Sequence, residues 1–150
     1  METLKATFAG RPAWMNLLFV FCGYMTFVYM PYDMFVKPVE RDQEVWFGLL
    51  LTGWAAKLTE PIHWFIYGAG FYGFLRRRTW LWPWASLYAG QVAIGMFVWA
   101  LTDPRGGGIL SGSIAGAAFL VLAIMLWRAK DRFGPMVSGQ QPEQTENGES

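Results

Sequence analysis

The sequence predicts an all-α, polytopic membrane protein, a four-transmembrane-helix bundle with a kinked second helix. Hydrophobic residues make up 54% of the 150-residue chain and charged residues only 15%, whereas soluble domains average roughly 25% charged residues. Several apolar runs reach the roughly 20 residues that a membrane-spanning helix needs. The nine Trp also fit a membrane protein, because indole rings prefer the boundary between lipid tails and headgroups.

The first, third and fourth spans follow directly from the apolar runs. They are predicted over residues 14–35, 82–101 and 109–127. Pro12 suits the first turn of the first helix, where a missing N–H has no helical partner to lose. No small-residue cleavage site is evident, and the apolar run is long enough to cross a bilayer. We therefore interpret the first span as a retained helix and not as a signal peptide.

The second span, predicted over residues 46–75, is irregular. A helix of that length measures about 45 Å, too long for one upright crossing. Pro61 lies in its middle and disfavours the helical conformation for Glu60. Two arrangements fit the sequence: one kinked and strongly tilted helix, or an interfacial helix over residues 44–58 feeding a steeper helix with Thr59 as its N-cap.

The positions of Lys and Arg predict the orientation. Basic residues precede the first span, separate the second from the third and follow the fourth. They share one side of the membrane only if the number of spans is even, so both termini are predicted to be cytoplasmic. Residues 1–133 would form the transmembrane domain, and residues 134–150 a disordered cytoplasmic tail. The tail shows no retrieval signal, and we expect a bacterial inner membrane rather than the endoplasmic reticulum.

Three ionisable residues of the second span form the candidate site, because an ionisable group inside a membrane is a functional hypothesis by default. Lys57, Glu60 and His63 are spaced three apart, which places neighbours on adjoining parts of one helix face. We expect Glu60 well inside the hydrocarbon. Either Lys57 pairs with Glu60 and satisfies it, or Glu60 lies in a dry, aromatic-lined cavity as an acid or a cation-binding carboxylate.

Other residues complete the predicted ligand site. Asp33, at the outer end of the first span, is the second acid and is grouped with Glu60 as a catalytic candidate. The predicted ligand-binding residues are His63, Trp64, Lys57, Tyr32, Tyr67, Gln91 and Trp54. No metal and no cofactor are predicted: Glu60-x-x-His63 resembles half of a di-iron motif, but such a bundle needs the motif twice, and the chain has one His.

Partners are predicted from charge and from small residues. A net charge of +1 gives no reason to expect a nucleic-acid partner. Gly112-x-x-x-Gly116 permits close helix approach. This face would pack either within the bundle or between protomers, in a homodimer or a larger membrane complex.

The arrangement of these residues resembles the EXPERA family of sigma-2-receptor-like and emopamil-binding-protein-like membrane proteins. The resemblance rests on Asp33 late in the first span, Glu60 in the second, the aromatic and basic exit of residues 72–76, and the aromatic opening of the third span at residues 82–88. It covers about residues 16–99. It implies four spans with cytoplasmic termini, and a ligand cavity in which Asp33 and Glu60 are the paired acids.

Two functions follow as expectations. The first is a protein that binds a sterol-like or isoprenoid lipid in an intrabundle cavity. Such a protein could also be a double-bond isomerase, in which Glu60 protonates the alkene and aromatic faces stabilise the cation. The alternative is a non-catalytic accessory or structural subunit of a larger membrane complex. A Glu60 that faces a cavity favours the first, whereas a Glu60 neutralised by Lys57 without a cavity favours the second.

Overall fold

The computed structural model describes Phe8 and residues 11–134, and this part of the chain is mostly helical. The predicted tail, apart from Gly134, lies outside the described residues. The elements, in chain order, are α1 (Ala13–Tyr24), a π-helical turn (Met25–Tyr29), α2 (Met30–Phe35), a 3-10 turn (Val39–Arg41), β1 (Gln43–Trp46), β2 (Leu49–Thr52), α3 (Trp54–Lys57), α4 (Glu60–Arg76), α5 (Leu81–Thr102), a 3-10 turn (Pro104–Gly106), α6 (Gly108–Arg128) and a 3-10 turn (Lys130–Arg132).

Three helices among the described residues are long and apolar enough to cross a membrane. They are Ala13–Phe35, Leu81–Thr102 and Gly108–Arg128. Each agrees with a predicted span to within about one residue at either end, so these elements confirm the predicted helical membrane protein at that level. The first combines α1, the π-helical turn and α2 in one run of 23 residues.

The second span predicted over residues 46–75 is not one helix, and that prediction was wrong. β1 and β2 form an antiparallel hairpin with Trp46 opposite Leu49. Phe47 and Gly48 between them both have positive φ, 52° and 85°, which is the geometry of the two central residues of a tight hairpin turn. The interfacial helix over residues 44–58 is also absent, because only α3, a single turn, is helical there.

Helix α4 begins at Glu60, so Pro61 lies in its first turn. The missing N–H of a proline costs no helical hydrogen bond at that position, and α4 therefore shows no proline kink. Thr59 immediately precedes the helix, as the second arrangement predicted, but its hydroxyl donates to the carbonyl of Ala56 instead of capping α4. With 17 residues, α4 is about 25 Å long, slightly less than a typical span.

Small residues allow α5 and α6 to pack closely. A Cβ added to Gly112 would lie 2.7 Å from the Cβ of Ala100, and one added to Gly116 would lie 3.1 Å from the carbonyl oxygen of Ala93. The face of Gly112 and Gly116 therefore packs against α5 within the chain.

Different contacts hold the two ends of the bundle together. At one end Arg11 donates to the carbonyl of Phe74, and the N–H of Gly134 donates to the carbonyl of Arg77 at 2.7 Å. At the other end Arg105 donates to Gln43 of the hairpin at 2.8 Å. The largest apolar core lies at the first end and consists of Met15, Phe19, Phe74, Leu81, Ala89, Ala123, Leu126, Ala129 and Phe133.

Candidate functional site

A buried polar cluster lies beneath the hairpin, where α2 ends and α4 begins. Asp33 and Asp42 are 1% exposed, and Glu60 is 0% exposed. Charged groups are almost never buried so completely unless they are paired. The cluster, hereafter the acid–lysine cluster, consists of Asp33, Lys37, Asp42, Lys57 and Glu60.

The two lysines bridge the three acids. The Lys37 ammonium lies 2.7 Å from both Asp33 and Asp42. The Lys57 ammonium lies 3.5 Å from both Asp42 and Glu60, and it donates to the backbone carbonyls of Asp33 and of Lys37, the latter at 3.0 Å. These contacts tie together α2, the loop before the hairpin, α3 and α4.

The pKa values of the loop residues reflect this pairing. Burial alone would lower the pKa of Lys37, but its hydrogen bonds to Asp33 and Asp42 and their negative charges outweigh burial and raise it. Burial alone would raise the pKa of Asp42. Hydrogen bonds with Glu60 and Lys37, and the positive charges of Lys37 and Lys57, outweigh that effect and lower it. Both groups are therefore charged at neutral pH.

Glu60 differs from Lys37 and Asp42 because its carboxyl group can form a good hydrogen bond only if it carries a proton. Apart from the 3.5 Å contact with Lys57, neither of its carboxyl oxygens has a hydrogen-bond donor. Asp42 and Glu60 contact the same Lys57 ammonium, and a hydrogen bond between two neighbouring carboxyl groups requires a proton on one of them. Among the five residues of the cluster, three acids face two lysines, so a proton on Glu60 balances their charges, while the neighbouring Glu44 pairs with His63. We infer that Glu60 is protonated and donates to the Asp42 carboxylate.

A second set of contacts docks the hairpin on α4. The Nδ1 atom of His63 lies 3.0 Å from a carboxyl oxygen of Glu44. The imidazole of His63 also stacks on the indole of Trp46, with ring centres 4.2 Å apart and planes 14° from parallel. Both partners belong to β1, so this strand covers the first turns of α4.

The structure brings some predicted site residues together and separates others. Asp33, Lys57 and Glu60 meet in the acid–lysine cluster, and His63 lies beside it. Sequence reasoning missed Lys37, Asp42 and Glu44, which it assigned to a connecting segment. Outside the cluster, Tyr32 and Trp54 are 55% and 70% exposed, Tyr67 hydrogen-bonds to Tyr88, and Gln91 lies on α5 near Gly95.

Trp64 donates a hydrogen bond to a backbone carbonyl of the first span that has no partner within its own helix. In the π-helical turn the N–H of Met30 bonds to the carbonyl five residues earlier. The next donor in that register would be Pro31, which has no N–H. The indole of Trp64 donates to the carbonyl of Thr26, the acceptor left over, at 2.8 Å. The π-helical turn and α4 are therefore joined by a specific hydrogen bond.

Two grooves lie on the surface of the described part of the chain. The first, of about 290 Å³, lies between the π-helical turn and α4 and is lined by Thr26, Pro61, Trp64, Phe65 and Gly68. The second, of about 480 Å³, runs along α6 and is lined by Gly107, Leu110, Ser111, Ile114, Ala115 and Ala118.

The chemistry open to Asp33 and Glu60 depends on whether a ligand can reach their carboxyl groups. A side chain that is 0% exposed touches no water-sized sphere, so Glu60 has no space beside it for a ligand in this conformation. Neither of the two grooves has Glu60 or Asp33 in its lining. In this conformation both acids are packed against protein, and the ligand cavity that the sequence predicted around them stays a prediction.

Carboxyl oxygens of Asp33, Glu44 and Glu60 lie within 4.8 Å of one another, close enough to hold a metal ion. The Lys57 ammonium already lies 3.5 Å from Glu60 and supplies positive charge at this point. Ion pairs with the lysines are enough to explain why these acids lie close together. We therefore propose no metal there.

Comparisons with protein-family models, curated proteins and solved structures found no match to this chain. The resemblance to the EXPERA family stays a prediction that rests on the residues named above.

Proposed function

We propose that this protein is a non-catalytic accessory subunit of a membrane complex, and that it binds a transmembrane helix of a partner in the groove along α6. The proposal is based on a face of α6 that is formed by small residues and is separate from the face packed on α5. Gly112 and Gly116 contact α5, whereas Ser111, Ala115 and Ala118 line an open groove on a different face. Small side chains at such spacings let another helix approach closely in a membrane.

The state of the acids supports a non-catalytic role. A general acid must reach its substrate within hydrogen-bonding distance, and Glu60 is enclosed by Lys57, Asp42 and the hairpin. The acid–lysine cluster joins α2, the loop before the hairpin, α3 and α4. Its role in this proposal is to hold the hairpin and α4 in place.

In this proposal α4 is the fourth membrane crossing, a short one. The basic residues at 76–78 and those following α6 lie at the end of the bundle opposite the hairpin. By the distribution of Lys and Arg, that end and both termini face the cytoplasm. The acid–lysine cluster then lies at the opposite membrane boundary, in a bacterial inner membrane.

Photo-crosslinking in native membranes tests the subunit proposal. A benzophenone amino acid replaces Ile114, which lines the groove along α6, or Ile109, a residue of the same type and similar exposure that lies outside the groove on another face of the helix. The proposal expects a discrete adduct with another polypeptide, or with a second copy of this chain, from position 114 and none from position 109. Lipid adducts alone at both positions would contradict it.

A second function, binding of a sterol-like or isoprenoid lipid chain, is favoured by the groove beside Trp64. Its lining is almost entirely apolar, and it opens to the side of the bundle where lipid would lie. Gly68→Leu would fill this groove, whereas Gly90→Leu on α5 meets open space and serves as its control. Mass spectrometry of co-purified lipids would show a bound lipid that Gly68→Leu loses and Gly90→Leu keeps. Identical lipid profiles in both variants and the unmodified protein would exclude a specific lipid there.

A further inference from the structure

We propose that the β-hairpin is a re-entrant element whose tip lies in the lipid bilayer, so that the partner of its outer surface is lipid. The inference rests on three features of the described residues: where the turn touches α5, which side chains the hairpin leaves exposed, and the backbone conformation of Phe47. It does not depend on the proposed function.

The contact with α5 sets the depth of the turn. A Cβ on Gly48 would lie 2.5 Å from the Cβ of Val98 and 2.9 Å from the carbonyl oxygen of Gly95. The two backbones therefore touch at Gly95, about two helical turns, or roughly 10 Å, before α5 ends. Since α5 is a candidate span of about the thickness of the hydrocarbon layer, the tip of the hairpin lies well below its surface.

The exposed side chains of the hairpin are apolar near the tip and polar at the entrance. Phe47 and Leu49 are each 63% exposed, and Val45 is 38% exposed. At the other end of the strands, Gln43 pairs with Thr52 and accepts a hydrogen bond from Arg105. This gradient matches a hairpin that enters and leaves the membrane at its polar end.

The conformation of Phe47 makes water an unsuitable surrounding for the tip. A tight turn with positive φ at both central residues strongly prefers Asn, Asp or Gly at the first of them. A bulky side chain at positive φ is strained, and here the strained residue is also largely uncovered by protein. Lipid contact with the Phe47 ring supplies a gain that water does not.

The hairpin backbone is compatible with this depth. Non-helical backbone is tolerated at membrane depth where it is buried in protein. β1 and β2 pair over four residues each, and Gly53 donates to the carbonyl of Asp42 at 2.9 Å to close the base. β1 packs on α4 through Trp46 and His63, and β2 packs on α5.

Spin-label accessibility in vesicles tests the proposal. In a Cys22→Ala background, single cysteines are introduced by Phe47→Cys and Leu49→Cys, labelled with a nitroxide, and reconstituted into phosphatidylcholine–phosphatidylglycerol vesicles. Collision rates with oxygen, which concentrates in lipid, and with a water-soluble nickel chelate are then measured. Ile94→Cys, at the depth of Gly95 and 67% exposed, is the lipid control, and the exposed Glu40→Cys is the water control.

The proposal expects labels at 47 and 49 to give a high ratio of oxygen to nickel collisions, close to that of position 94 and above that of position 40. A ratio at both sites matching position 40 would overturn it. Low collision rates with both reagents would overturn it too, because another polypeptide would then cover the hairpin. Each variant must keep the circular dichroism of the unlabelled protein, and Leu49→Cys decides if Phe47→Cys does not fold.

Discussion

Replacing Lys57 by methionine removes the cation that links α3, α4 and the loop before the hairpin. The ammonium group contacts Asp42 and Glu60 and donates to two backbone carbonyls. Methionine keeps a similar side-chain length without the charge. Asp42 then loses one of its two lysines, and the carbonyls of Asp33 and Lys37 lose a donor.

Removing one partner of a buried ion pair destabilises a protein by about 3 to 5 kcal/mol, because the remaining charge stays buried. We expect Lys57→Met to fall near the lower end, at about 3 kcal/mol, since Lys37 still neutralises part of the cluster. Lys130→Met is the matched control. Lys130 is exposed at the opposite end of the bundle and lies 5.3 Å over the Trp82 ring, a contact of about 1 kcal/mol or less.

The free energy of unfolding is measured in mixed micelles by titration with a denaturing detergent, followed by circular dichroism. Lys57→Met should lower it clearly more than Lys130→Met. Adding Asp42→Asn to Lys57→Met should cost less than the sum of the two single changes, since it removes an anion that has already lost one of its two lysines. Equal effects of both lysine changes, together with strict additivity of the pair, would refute the reasoning.

Three further predictions follow from the site. In thermal unfolding, stability should fall below about pH 4 as Asp42, whose pKa is lowered, becomes protonated, and above about pH 10 as Lys37, whose pKa is raised, loses its proton. Between these limits stability should decline as the pH rises, because Glu60 keeps its proton in the folded protein and loses it in the unfolded chain. At about pH 4, where the Glu60 carboxyl is also largely protonated in the unfolded chain, Glu60→Gln should change the free energy of unfolding by less than about 1 kcal/mol, because an amide replaces a protonated carboxyl as donor. Trp64→Phe should lower stability by about 1 to 3 kcal/mol by leaving the carbonyl of Thr26 without its donor, and a loss below that range in the same detergent titration would contradict the role of the indole.

The long helices were predictable from sequence because a membrane span is defined by length and apolarity. The hairpin was not. Residues 45–51 are apolar in both a helical and a strand interpretation, and a short apolar run does not distinguish them. Gly48 was the available signal, since it follows Phe47 at the only point where two extended segments could turn back on each other.

The pair of Lys57 and Glu60 was predictable because residues three apart are neighbours in a helical turn, and the 3.5 Å contact agrees with that interpretation. The burial of Glu60 is confirmed, but its cause differs from the one expected. The hairpin and the acid–lysine cluster bury it at the start of α4, and not deep in a long helix. Lys37 and Asp42 reach the acid–lysine cluster because of the path that the loop takes. The spacing of these residues in the sequence does not determine that path.

The inferred state of Glu60, a neutral hydrogen-bond donor enclosed in the acid–lysine cluster, can be measured by infrared spectroscopy. The reconstituted protein at neutral pH is compared with its Glu60→Gln variant. We expect a band from a protonated carboxyl group in the unmodified protein that disappears in Glu60→Gln, while the carboxylate bands stay unchanged. Loss of carboxylate intensity in Glu60→Gln, with no change in the protonated-carboxyl region, would show that Glu60 is ionised and not a donor.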